Sequence, residues 1–174
     1  MLEETPVVLV VDTERTDLYA EWLDPAYEVL VARDGRAALA AVDDADAAVL
    51  GPNQPESPGL VDALRARVVS LPVVAVPDGD SPVPEPAERV DYPASETTLR
   101  AAVAAVVARR QYARGVDELY ALAAERAAEG DDPTLDEEFD ELSARLAETL
   151  DELVDNAGYR AAYRAAADPD RSED

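Results

Sequence analysis

A chain of 174 residues has room for one α/β domain of ordinary size and a smaller helical appendage. Acidic residues number 39 against 15 basic ones, every one of them arginine, for a net charge of −24. Cysteine, histidine and lysine are all absent, which excludes disulfides, thiolate zinc sites, histidine acid/base catalysis, Schiff-base chemistry and a P-loop.

The hydrophobic fraction is 48%, much of it alanine, and nine residues are aromatic, so the core must be narrow and built from Val, Leu and Ala. Such an acidic surface repels itself at ordinary salt and destabilises the compact state. At molar salt the Debye length falls to about 3 Å and the repulsion largely disappears. The acids are interleaved with periodic apolar residues, which argues for a folded, salt-adapted chain over a disordered acidic one. The composition resembles that of halophilic archaeal proteins. No apolar run approaches a membrane span and the first residues, MLEETP, are acidic, so a cytoplasmic location with neither signal peptide nor anchor is expected.

In chain order, VVLVV at 7–11 reads as a strand buried on both faces. Thr13 or Thr16 is expected to cap a helix reaching Leu23, with Leu18, Tyr19, Trp22 and Leu23 on one face, and Asp24-Pro25 stops it. A second strand follows at 27–32, then an Asp34-Gly35 turn, a helical segment at 36–42 and a third strand at 47–50. Residues 51–59 form a loop. A helix at 60–68 turns Leu60, Val61, Leu64 and Val68 inward, and a fourth strand covers 72–76. Residues 77–88 hold four prolines and one glycine, too many for an ordinary helix. A weak fifth strand at 89–92 ends at Pro93, and Ser95 with Thr98 marks a capped helix start. Strands alternating with helices imply an α/β fold, a doubly wound five-stranded parallel sheet with any site at the strands' carboxyl ends.

From Leu99 an amphipathic helix is expected to run to about Ala128, and the 130–133 loop leads into a second, capped by Asp132 or Thr134. Its apolar line is Leu135, Phe139, Leu142, Leu146, Leu150 and Leu153, a narrow coiled-coil stripe and the set of candidate partner or dimer contacts. The two helices should form an antiparallel C-terminal α-helical hairpin. Asn156-Ala157-Gly158 is expected to end the second, with a short further helix at 159–167 and a disordered tail at 168–174.

The order of elements over residues 6–110 resembles the receiver domains of response regulators, a flavodoxin-like family. VVLVVDTE at 7–14, DAAVLGPNQP at 46–55 and RVDYP at 89–93 carry the resemblance. It implies a pair of acids after the first strand and an aspartate ending the third, together holding Mg²⁺. That aspartate takes a phosphoryl group, and a Ser/Thr after strand four and a Lys before a proline after strand five bind it. The chemistry needs hard oxygen ligands, a carboxylate nucleophile and donors for the phosphoryl oxygens. Asp12 matches the first acid, but Thr13 stands at the second, Gly51 at the phosphoacceptor, Pro77 at the Ser/Thr and Tyr92 at the Lys, with Pro93 kept. The positions together describe a degenerate pseudo-receiver with no catalytic residue, no metal site and no cofactor. Asp12 reads as a turn or capping residue in preference to a metal ligand. Asp46, conceivable as a displaced acceptor, lies at the wrong end of strand three. Tyr92-Pro93 is read as a strand terminus whose peptide bond is open to either isomer. The proline-rich 77–88 stretch stands where the family has its fourth helix, so the usual signalling face must be remodelled.

Residues 111–167 resemble the HalX domain, which follows receivers in haloarchaeal proteins, through YARGVDELYALAAERA at 112–127, EEFDELSARLAETLDEL at 137–153 and YRAAY at 159–163. The combined reading is a phosphorylation-independent signalling protein that works through a protein partner or a homodimer, with no membrane and no small-molecule substrate. The alternative is a DNA-binding transcriptional regulator of the HalX response-regulator type, although no helix-turn-helix is evident and no basic cluster exists beyond Arg109-Arg110. An enzymatic role, such as a residual aspartate phosphatase, would rest on a single site carboxylate, so no enzyme is expected.

Overall fold

The computed structural model describes residues 5–24, 26–52, 59–78, 87–130 and 132–167. The chain divides into two compact units, Met1–Val107 and Ala108–Asp174.

The first unit is built on a five-stranded parallel sheet in the order β2-β1-β3-β4-β5, with β1 at Val7–Val11, β2 at Glu28–Ala32, β3 at Ala47–Leu50, β4 at Val73–Ala75 and β5 at Glu88–Arg89. This is the flavodoxin-like order, whose direction reverses between β1 and β3. β1 alternates its side chains between two separate cores, because successive residues of a strand point to opposite faces. Val8 and Val10 join Val49, Val74, Tyr19, Leu23, Leu99, Val103 and Val106 on one face. Leu9 and Val11 join Leu50, Ala38, Leu60, Val61, Leu64 and Val73 on the other. Helix α1 (Thr16–Leu23) and the first turns of α4 (Glu96–Glu129) therefore cover one side, and α2 (Gly35–Ala41) and α3 (Gly59–Arg67) the other.

Local chemistry sets most of the element ends. Asp34 caps α2 by accepting from the Ala37 amide at 2.7 Å, and a short 3₁₀ turn, Val42–Asp44, follows. The Ser95 hydroxyl accepts from the Thr98 amide at 3.2 Å, the expected start of α4. Three expectations need correction. Neither Thr13 nor Thr16 caps α1: Arg15 is its cap residue, and the buried face is Thr16, Tyr19 and Leu23, leaving Leu18 42% exposed. The 100° step of a helix puts Leu18 beside, not on, the line through 16, 19 and 23. β5 is two residues long and precedes the expected 89–92 segment, and the Val90 amide closes its pairing on the Ala75 carbonyl at 2.8 Å. A short edge strand limits unpaired backbone at the rim. The proline-rich stretch falls largely outside the described residues.

In the second unit, α4 continues to Glu129 and α5 spans Pro133–Ala167. Asp132 caps α5 by accepting from the Thr134 amide at 2.9 Å. Arg126 pairs with Asp136 at 2.6 Å and lies over the Phe139 ring, while Gly115 faces Leu146. Rising numbers on one helix meet falling numbers on the other, so the hairpin is antiparallel. α5 runs through Asn156-Ala157-Gly158 without the expected break. A mid-helix glycine costs only about 1 kcal/mol relative to alanine, and no proline follows until after Ala167. The tail expected to be disordered lies outside the described residues.

Candidate functional site at the carboxyl edge of the sheet

β1 and β3 pair side by side up to Val11 and Leu50, so the residues that follow them, Asp12 and Gly51, leave the sheet as neighbours. The Gly51 amide donates to the Val11 carbonyl at 2.9 Å. Asp12 is fully buried. Its Oδ1 accepts from the amides of Glu14 at 2.7 Å and Arg15 at 2.8 Å, an Asx turn that leads the chain into α1. Its other oxygen points over Gly51. A Cβ built on Gly51 would lie 1.9 Å from Asp12 Oδ2, 2.6 Å from its Cγ and 2.8 Å from its Cβ. The Asp12 carboxylate thus fills the volume that any side chain at position 51 would need.

The other singled-out positions lie along the same edge. Thr13 is exposed, Pro77 follows β4 half-buried, and Tyr92 and Pro93 follow β5 at the surface, joined by a cis peptide bond. Tyr92 does not stand alone. The Arg15 guanidinium donates to the Tyr92 hydroxyl and lies 4.8 Å from its ring centroid, a cation–π contact as well. Tyr19, one turn along α1 and packed on Trp22 at 5.5 Å between ring centroids, is the fourth member of the group. Burial pushes its hydroxyl pKa up, the Asp12 charge pushes the same way, Arg15 opposes and Tyr92 adds a small rise. Sequence reading passed over Arg15 and gave Tyr19 only as a residue of the apolar helix face. The signal available was spacing, since Asp12, Arg15 and Tyr19 step by three and four residues through a turn into a helix.

Mg²⁺, which a receiver would hold here, does not fit these residues. Of the two positions that would share the metal with position 51, only Asp12 is a carboxylate, one of its oxygens accepts from two backbone amides, and Gly51 brings no side chain. Among the described residues no cluster of three or more His, Cys, Asp or Glu is placed to hold a metal. Asp46 sits at the opposite edge of the sheet. Its Oδ2 accepts from the Val7 amide at 2.9 Å, pinning the start of β1 to β3. Elsewhere, Asp43 and Arg67 pair at 2.8 Å on the surface, and the hydrogen bond lowers the Asp43 pKa and raises that of Arg67. An open cavity of about 460 Å³ between the starts of α2 and α3 is lined by Gly35, Arg36, Leu39, Gly59, Leu60 and Ala63, and shares no residue with the Asp12 group.

Among the candidate contacts of α5, Leu142 is buried, Leu135, Phe139, Leu146 and Leu153 are half-buried, and Leu150 is 43% exposed. No described helix is long and apolar enough to cross a membrane.

The architecture is that of a receiver domain followed by a long helical region. No family model matches the sequence, and no curated protein does. Among solved structures, the chain is similar to a response regulator receiver domain protein from Bacillus halodurans, at 18% identity and a TM-score of 0.52 over 59% of this chain and 97% of that one. It is similar to the receiver domain of a Francisella response regulator, at 22% identity and a TM-score of 0.51 over 60% and 98%. It is also similar to the response regulator StyR, at 19% identity and a TM-score of 0.52 over 88% and 92%. At these identities the likeness is one of fold.

Proposed function

We propose that the chain is a phosphorylation-independent regulatory protein of response-regulator type, a pseudo-receiver that works through protein–protein contacts made by its helical hairpin. The observation that carries this reading is the Asp12 carboxylate occupying the space of a side chain at position 51. A receiver switch needs a carboxylate there to attack the phosphoryl donor, and a second acid to share the metal. Here the surviving acid is spent as a turn-former, and Arg15 and Tyr92 close the place of the phosphate-binding lysine with a contact of their own. On this reading the site is a fixed structural lock, with no cofactor and no enzymatic turnover. The HalX-like hairpin is the output, and the setting is a salt-rich cytoplasm, which the net charge of −24 suits.

The test is incubation with acetyl phosphate and Mg²⁺ at molar salt, read by intact mass. The expected result is no phosphoryl adduct on the wild-type chain, and none on Gly51→Asp, because Asp12 blocks the new side chain. A stoichiometric, hydroxylamine-labile adduct on the wild-type chain would overturn the reading.

A further inference from the structure

β2 is an edge strand of the sheet, and the way it pairs fixes what it shows to the outside. The Glu28 amide donates to the Pro6 carbonyl at 3.0 Å, and the Ala32 carbonyl accepts from the Asp12 amide at 3.2 Å. Residues 28, 30 and 32 therefore turn their backbone groups toward β1. By the alternation of a strand, Val29 and Val31 turn theirs outward. Among the described residues no strand lies beyond them. The opposite edge is kept short, since β5 has 2 residues. β2 has 5, EVLVA, with no proline and a single charge at its first residue, and its Val31 is 49% exposed. In a chain where 31% of residues are charged, an apolar edge left without a guarding charge, proline or bulge is a place for another strand to pair.

We propose that the β2 edge binds the β2 edge of a second copy, antiparallel, so that the two sheets become one continuous sheet. The contact lies in the first unit and is separate from the hairpin contact proposed above. Register argues for the second copy. With a two-fold axis perpendicular to the sheet at Leu30, Val29 of each copy stands opposite Val31 of the other. Both residues present outward amides and carbonyls, so each pair exchanges both of its hydrogen bonds. Glu28 falls opposite Ala32 and Arg33 opposite Tyr27, so no like charges oppose. Moving the axis to Val31 would set Glu28 against Asp34. The flanking helices allow the approach. α1 covers β1 and β2 through the core that holds Val8, Val10 and Val29, and α2 covers them through the core that holds Leu9, Val11 and Leu30. A helix centred on the β1–β2 pair meets its symmetry mate two strand spacings away, at about 10 Å, an ordinary helix packing distance. At molar salt, screening removes the repulsion between two such acidic copies.

The experiment is sedimentation equilibrium of the full chain at molar salt, with circular dichroism as a control. The wild-type chain is expected to be a dimer. Val31→Pro, whose lost amide hydrogen points away from β1, should be a monomer with unchanged secondary structure. Val31→Lys, a charge on the edge, should weaken the dimer at least tenfold, and it carries the test alone should the proline chain lose structure. Leu30→Cys supplies the only thiol in a chain without cysteine. The two copies of that position face each other across the axis at about 4.5 Å between Cα atoms, within the span of a disulfide. This chain should therefore form a covalent dimer on oxidation. A wild-type chain that stays monomeric at every concentration would overturn the proposal. So would a folded Val31→Pro or Val31→Lys chain that dimerises as tightly as wild type, or a Leu30→Cys dimer that does not cross-link. None of these results bears on the phosphotransfer test, so the two readings fail separately.

Discussion

The two units of this chain solve burial in different ways. In Met1–Val107 the sheet presents two faces and each is covered, so Leu9, Val10, Val49, Leu64 and Leu99 are all fully enclosed. In Ala108–Asp174 two helices face each other, and among the described residues Leu142 is the one apolar side chain beyond alanine that is buried. Three layers enclose a core, whereas two helices make a seam with two open flanks. The difference places the fully enclosed core in the first unit and leaves the second with half-buried and exposed apolar residues such as Leu146, Leu150 and Val154.

The sharpest way to break this comparison is to remove equal volumes from the two units. Leu9→Ala should cost about 2–5 kcal/mol, since the sheet cannot collapse around the cavity. Leu146→Ala, half-buried on the seam, should cost about 1 kcal/mol. Urea unfolding at constant molar salt reads both, and equal losses would refute the contrast. A smaller effect probes the lock at the carboxyl edge. Gly51→Ala should destabilise by about 1–3 kcal/mol because its methyl group collides with the Asp12 carboxylate. Combining it with Asp12→Ala should recover on the order of 1 kcal/mol relative to the sum of the single changes. Strict additivity would mean the two positions do not share that volume.

The smallest expected effect is a pH dependence confined to the first unit. Tyr19 and Tyr27 have their pKa values raised by burial, and Arg100 partly offsets the shift at Tyr27. A pKa raised on folding means the folded state holds the proton longer. Stability is therefore whole below pH 10, the ordinary tyrosine value, and falls as pH climbs through the raised values. The tyrosinate absorbance that disappears on changing Tyr19 and Tyr27 to Phe should rise only together with unfolding. A rise that comes well before unfolding would place them in water.

Much of the fold was legible because its strands are continuous β-branched or alanine-rich runs. β1 and β3 begin and end where VVLVV and AAVL do, since a strand covered on both faces reads as a short continuous apolar run. The caps at Ser95 and Asp132 were equally readable, as each side chain reaches an amide two or three residues on, whereas Asp34 was expected only as part of a turn and proves to cap α2. β5 was misplaced because a two-residue edge strand carries almost no pattern. The break at Gly158 was overestimated because a single glycine's cost is small beside the turns around it.

Composition and local spacing, acting within a few residues, determined the charge regime, the alternation of elements, the turn at Asp12 and the empty side chain at position 51. Only the tertiary structure decided that those last two are one feature. Parallel pairing of β1 with β3 brings Asp12 over Gly51, and no local signal encodes that distance. The same holds for Arg15 with Tyr92. Contacts between residues far apart in sequence depend on how whole elements pack, and packing is settled by the sum of all buried surfaces.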